Sequence, residues 1–129
     1  MPDPQSPTPT ELAILQVLWD HGPSTVRQIH NVLKSQRDTG YSTTLKMVQV
    51  MTEKRILLKD DAVRPQRFRP ARGREQTQSQ LLDDLIHRAF NGSASNLVLR
   101  AVSAKGITAD ELSLIKKLID KARQNQRRP

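Results

Sequence analysis

Apolar residues in the first half of the chain recur every three or four positions, in runs divided by Gly, Pro and short polar stretches. The run TELAILQVLWDHG predicts a first helix, with Leu12, Leu15 and Trp19 on one face and Ile14 and Leu18 beside them. Thr10 is its expected N-cap, with Glu11 at the positive end of the helix. Pro2, Pro4, Pro7 and Pro9 exclude an earlier start and make residues 1–9 a disordered lead-in. Gly22 and Pro23 stop this helix, and Thr25 followed by Gln28 has capping-box spacing for the next. Val26, Ile29, Val32 and Leu33 form the inner face of the second helix, leaving Arg27, His30, Asn31 and Lys34 outside. After the loop SQRDTGY a third helix begins near Ser42. Thr44, Leu45, Val48 and Met51 point inward there, and Ser42, Thr43, Lys46, Gln49 and Glu53 lie opposite.

The period then changes. Ile56, Leu57 and Leu58 read as a strand, Asp60-Asp61 and Arg64-Pro65 as its turn, and Arg67-Phe68-Arg69 as the return. A period of two turns Phe68 to the core and both arginines outward, and Pro70 ends the strand. A fourth helix starts at Arg74, with Leu81, Leu82, Leu85, Ile86 and Phe90 as its stripe until Gly92. Ser93 or Ser95 opens a fifth, and Gly106 breaks it. Thr108 with Glu111 then caps a sixth. The fold class expected is mainly α with a small β-wing. A winged helix-turn-helix occupies residues 10–73, and a three-helix dimerisation domain occupies residues 74–126.

The C-terminal helices carry apolar faces but little aromatic bulk to bury within one chain. Docking against a second copy through Leu85, Phe90, Leu97, Val98, Ala101, Leu112, Ile115, Leu118 and Ile119 accounts for this pattern. The alternative is a monomeric helical appendage folded on the wing.

Charge sharpens the reading of the N-terminal half. The 129 residues carry a net charge of +8. Between Lys54 and Arg74 stand eight basic residues and only two acids, Asp60 and Asp61. Such a cluster is a footprint for a polyanion, against the plainer reading of a solvated basic loop. The outward face of the third helix holds short hydroxyls with one Lys and one Gln, groups suited to base edges and phosphates. The candidate DNA-facing residues are Thr25, Tyr41, Ser42, Thr43, Lys46, Gln49, Lys54, Arg64, Arg67 and Arg69.

Catalysis is not expected. His21, His30 and His87 lack metal-ligand spacing, and without cysteine no thiolate set or disulfide can form. Asp60-Asp61 and Asp83-Asp84 diverge on a strand or helix, and no nucleophile sits with a base, so neither enzyme activity nor a cofactor is implied. No apolar run approaches the roughly 20 residues that span a membrane. The polar, Pro-rich start is no signal peptide, so a cytoplasmic location without membrane insertion is expected.

Three stretches carry a family likeness over about residues 8–125: ELAILQVLWDHGPSTVRQIHNVL, GYSTTLKMVQVMTEK and EQTQSQLLDDLIHRAFNGSASNLVL. Together they resemble the penicillinase-repressor (BlaI/MecI) family of bacterial transcription factors. The resemblance implies a homodimer that binds a short palindromic operator in double-stranded DNA and silences antibiotic-resistance genes. It places base and phosphate contacts on Ser42, Thr43 and Lys46, with wing support from Arg64 and Arg67. In one branch a membrane sensor protease leads to cleavage between Asn and Phe; the matching bond here is Arg100–Ala101. Where the family often has Gly after the third helix this chain has Arg55, at a position expected to be left-handed. The cysteine cluster of the copper-responsive branch is absent, which removes copper sensing. The competing function is a helical protein–protein adaptor whose basic loop binds acidic partners. RNA binding ranks below both, since no aromatic stacking platform is present.

Overall fold

A computed structural model describes residues 6–127 of the chain. The element order is α1 (Pro9–His21), α2 (Val26–Leu33), α3 (Tyr41–Glu53), β1 (Leu57–Asp60), β2 (Arg67–Pro70), α4 (Arg74–Ala89), α5 (Ala94–Ser103) and α6 (Ala109–Arg127). These residues divide into two compact units, 6–83 and 84–127, and the division falls inside α4.

In the first unit, α1, α2 and α3 enclose a core of Ile14, Leu15, Val17, Leu18, Ile29, Leu33, Val48 and Met51, closed by Leu57 and Phe68 from the hairpin. The strands pair antiparallel, with Leu57 opposite Pro70 and Asp60 opposite Arg67. A further pairing ties β2 to the α1–α2 junction: Phe68 N–H donates to Ser24 O at 2.8 Å, and Ser24 N–H donates to Phe68 O at 3.1 Å. The hairpin is therefore anchored on its helices as well as on itself. Trp19 Nε1 donates to Arg72 O at 3.2 Å, and Arg74 pairs with Asp20, so α1 also fixes the chain as it leaves the hairpin.

Several expected boundaries shift, each for a local reason. Thr8, rather than Thr10, caps α1. Its hydroxyl accepts from Glu11 N–H at 3.2 Å, and the Glu11 carboxylate accepts from Thr8 N–H at 2.9 Å. Pro9 belongs to the helix, because at N1 its missing N–H would have no helical partner anyway. The lead-in expected for residues 1–9 is thus corrected at its end, and residues 1–5 lie outside the described residues. Leu45 is only half-buried, and Val17 joins the core in addition to the α1 residues expected there.

The first strand begins at Leu57, one residue late, because Ile56 is used to end α3. Ile56 N–H donates to Met51 O, and Arg55 N–H to Thr52 O, with Arg55 at φ 64°. Those are the two bonds of a Schellman cap with a left-handed residue between them. Arg55 adopts the left-handed conformation expected of its position, which costs a non-glycine residue about 1 kcal/mol.

The N-terminal cap is also electrostatic. Glu11 is 2% exposed, and its Oε2 lies 3.0 Å from Lys54 Nζ. Burial pushes its carboxyl up, but the Thr8 and Lys54 hydrogen bonds and the Lys54 charge outweigh it and hold the group below its ordinary value. Stability from this group is therefore present above the ordinary carboxylate range and lost as pH falls through the depressed value.

In the second unit Ser93 caps α5 by accepting from Asn96 N–H, and Thr108 accepts from Glu111 N–H ahead of α6. Asn91 and Gly92, at φ 53° and 81°, turn the chain out of α4. Neither α5 nor α6 has a buried residue.

Glu11→Gln should destabilise the protein by about 1–3 kcal/mol at pH 7, since a charged hydrogen-bond acceptor is lost from a buried cap. In urea titrations the gap from the parent protein should narrow as the pH falls below the carboxylate range. A gap independent of pH would show that the Glu11 charge contributes nothing.

Candidate nucleic-acid interface

The outward face of α3 follows from its inward one. Thr44, Val48 and Met51 are buried, which turns Ser42, Lys46, Gln49 and Glu53 to solvent as one stripe with Thr43 beside it. All five are exposed. The Lys46 side chain makes no hydrogen bond or ion pair with any described residue, so its ammonium is available to a ligand.

The start of α3 is fixed from α2. The Arg27 guanidinium carbon lies 3.9 Å from the Tyr41 ring centroid, and His30 meets the same ring edge-on at 5.5 Å and 89°. His30 Nδ1 is 3.1 Å from Thr44 Oγ1. His30 is buried, which corrects its expected place outside α2: the imidazole closes the gap between the two helices where an aliphatic residue would leave Thr44 Oγ1 with Gly40 O alone, at 3.4 Å. Arg27 was expected outside and is exposed, but its stacking on Tyr41 has no local signal, because the two residues are distant in sequence.

A groove of about 630 Å³ runs between the start of α2, α3 and the hairpin. It brings Thr25, Tyr41 and Gln49 of the expected set together with Arg27, Lys59 and Gln66, which sequence reasoning did not assign. Thr25 is the N-cap of α2, its hydroxyl accepting from Gln28 N–H at 3.2 Å. Ser42, Thr43 and Lys46 line no part of this groove and belong to the exposed stripe of α3.

On the hairpin, β2 alternates as expected: Arg67 and Arg69 are exposed and Phe68 is buried. Arg64, at the turn, is exposed too. None of these three arginines has a hydrogen-bonding or ion-pairing side-chain partner among the described residues. Asp61 is occupied by Lys59 at 3.6 Å and Gln66 at 2.8 Å, so it does not neutralise them. Lys54 stands apart from the set, since its ammonium is engaged by Glu11.

Among the described residues no group of three or more His, Cys, Asp or Glu could hold a metal ion, and no helix is long and apolar enough to cross a membrane.

Comparisons with known proteins bear on the family and the fold. The penicillinase repressor family model matches residues 7–121. The chain is 30% identical over 111 residues to the transcriptional regulator BlaI of Mycobacterium tuberculosis, in strains CDC 1551 and H37Rv, covering 84% of this chain and 79% of that protein. Its fold is similar to that of a MarR family protein from Bacillus stearothermophilus, with a TM-score of 0.50, 19% identity, and coverage of 95% of this chain and 76% of that one.

Tyr41→Ala removes the ring that both Arg27 and His30 pack against, and should cost about 1–2 kcal/mol. Thermal unfolding followed by circular dichroism measures this. A loss within error of zero would mean that the ring does not join α2 to α3.

Proposed function

The chain belongs to the penicillinase repressor family of winged-helix transcriptional regulators, and from that premise we propose that it is a homodimer that represses by occupying a palindromic operator. Like its relatives it is a DNA-binding regulator and not an enzyme. The observation that carries the proposal is the pairing of two free surfaces in one unit. An α3 stripe of Ser42, Thr43, Lys46 and Gln49 stands exposed, and a hairpin with unpaired Arg64, Arg67 and Arg69 follows it in the same core. The stripe suits base edges in the major groove, and the arginines suit the backbone beside it. Thr25 and Tyr41, with Arg27 stacked on the latter, serve the phosphates at the start of α3. Lys54 is left out of the DNA-facing set because Glu11 holds it.

Dimerisation rests on the second unit. From residue 84 to residue 127 no side chain is buried, although Leu85, Val98, Leu112, Leu118 and Ile119 are large, apolar and exposed. Leu97 and Ile115 are half-buried, as is Phe90, and Ala101 is exposed on α5. A helical unit with apolar stripes and no interior gains its hydrophobic stabilisation only against a partner, and a second copy presents the same stripes. Two linked half-site contacts then bind a palindrome far more tightly than either alone. Relief of repression, by a membrane sensor protease or by another signal, acts on this same unit. Arg100 and Ala101 are exposed, but their bond lies within α5, so a protease that takes its substrate extended must first open the helix.

An adaptor would bind DNA weakly and without preference, whereas a repressor should prefer its palindrome over bulk DNA by about 10³-fold or more. Lys46→Ala should cost about 1–3 kcal/mol of operator affinity and relax base preference, while Arg67→Ala should weaken all sequences alike and lower the slope of log K against log salt by about one. Fluorescence anisotropy across a salt series separates these outcomes. Equal losses of Lys46→Ala on operator and random DNA would reduce Lys46 to a phosphate contact, and an unchanged slope would remove Arg67 from the interface.

Leu118→Asp tests the dimer without touching the winged unit, since Leu118 is 56% exposed in the single chain. Its carboxylate would be buried unpaired between copies, so the variant should sediment as a monomer with its helix content retained and its operator affinity lost. A variant that stays dimeric and binds normally would contradict this assignment of α6.

A further inference from the structure

A second cavity, of about 270 Å³, lies at the root of the hairpin within the first unit. It is near the lower end of the size range of small-ligand sites. Leu15, Ile56 and Ala71 supply aliphatic wall, and Lys54, Arg55 and Arg72 stand around it as cations. Of the three, Lys54 is paired with Glu11, whose carboxylate accepts from its ammonium at 3.0 Å. Arg72 Nη1 donates to Gln80 Oε1 at 2.7 Å, which orients the guanidinium beside a polar neutral group. The Arg55 side chain has no hydrogen-bonding or ion-pairing partner among the described residues, and its backbone sits at φ 64°. The left-handed backbone of Arg55 belongs to the cap of α3, and its side chain lines the cavity at that helix end.

We infer that this cavity binds a small organic anion with a compact aliphatic body, its carboxylate taken by Arg55 at the rim and its body against Leu15 and Ile56. The site is independent of the DNA-facing surface, and neither reading requires the other. None of the DNA-facing residues lines it, but its walls adjoin the elements that carry them. Lys54, Arg55 and Ile56 end α3 just ahead of the hairpin, and Ala71 N–H donates to Ile56 O at 2.9 Å as the chain leaves it. An occupant touches the segment that joins α3 to β1 and the one that joins β2 to α4.

The test uses the full chain with cyclohexanecarboxylate as probe and cyclohexanecarboxamide as its uncharged counterpart, followed through backbone amide resonances. The carboxylate should give saturable shifts at residues 54–57 and 71–77, and the amide should bind about tenfold more weakly, the loss of one charge-assisted contact. Arg55→Gly suits the backbone at φ 64° and so keeps the fold, yet it should weaken carboxylate binding by about the same factor. Ala71→Phe, which fills the cavity, should abolish binding, and Arg88→Ala, outside this unit, should leave it unchanged. Shifts that fail to saturate, equal binding of the amide, or full affinity in Arg55→Gly would each overturn the assignment.

Discussion

The winged unit depends on the placement of Phe68. The residue is 6% exposed, its ring closes the core of the three helices, and its backbone exchanges two hydrogen bonds with Ser24. A strand that buries one residue must turn the next ones out, so seating Phe68 is what presents Arg67 and Arg69 to solvent. The same logic runs through α3, where burial of Thr44, Val48 and Met51 leaves a polar stripe on the far side. The DNA-facing groups are thus positioned by buried neighbours, not by each other. This suits a binding surface that must stay open and unpaired until its ligand arrives.

Around that core, polar groups fix the joints. Thr8, Glu11 and Lys54 link the start of α1 to the end of α3, and Arg27, Tyr41, His30 and Thr44 link α2 to the start of α3. Both ends of α3 are therefore held by side chains from other helices. The C-terminal unit is built the opposite way, with caps and helical periodicity in order but no interior. Its apolar stripes are unspent driving force, and the proposed dimer is where that force is used.

The sequence made the periodicity and the fold class readable, because helix stripes at three and four and the alternation at Phe68 are local patterns. Ends were read less well. Pro9 counted against a helix that it in fact opens, since a missing N–H matters only after the first turn. Ile56 counted as strand although it completes the cap of α3, a role set by the conformation of Arg55. What sequence could not reach were pairings between distant residues. Lys54 looked like a free cation because Glu11 lies far away in the chain, and His30 looked exposed because its partners Tyr41 and Thr44 stand on another helix. The exposed α3 face and wing arginines were legible, since each is the complement of a buried pattern. The groove residues Arg27, Lys59 and Gln66 were not, because only the packing of the hairpin against α2 and α3 assembles them.

The central claim is that two copies of this surface read one symmetric DNA sequence. Selection of bound duplexes from a random pool by the full-length protein tests it most directly. The account predicts enrichment of an inverted repeat, with half-sites spaced by about one helical turn or a multiple of it. Enrichment of an asymmetric sequence, or no enrichment over the starting pool, would contradict it.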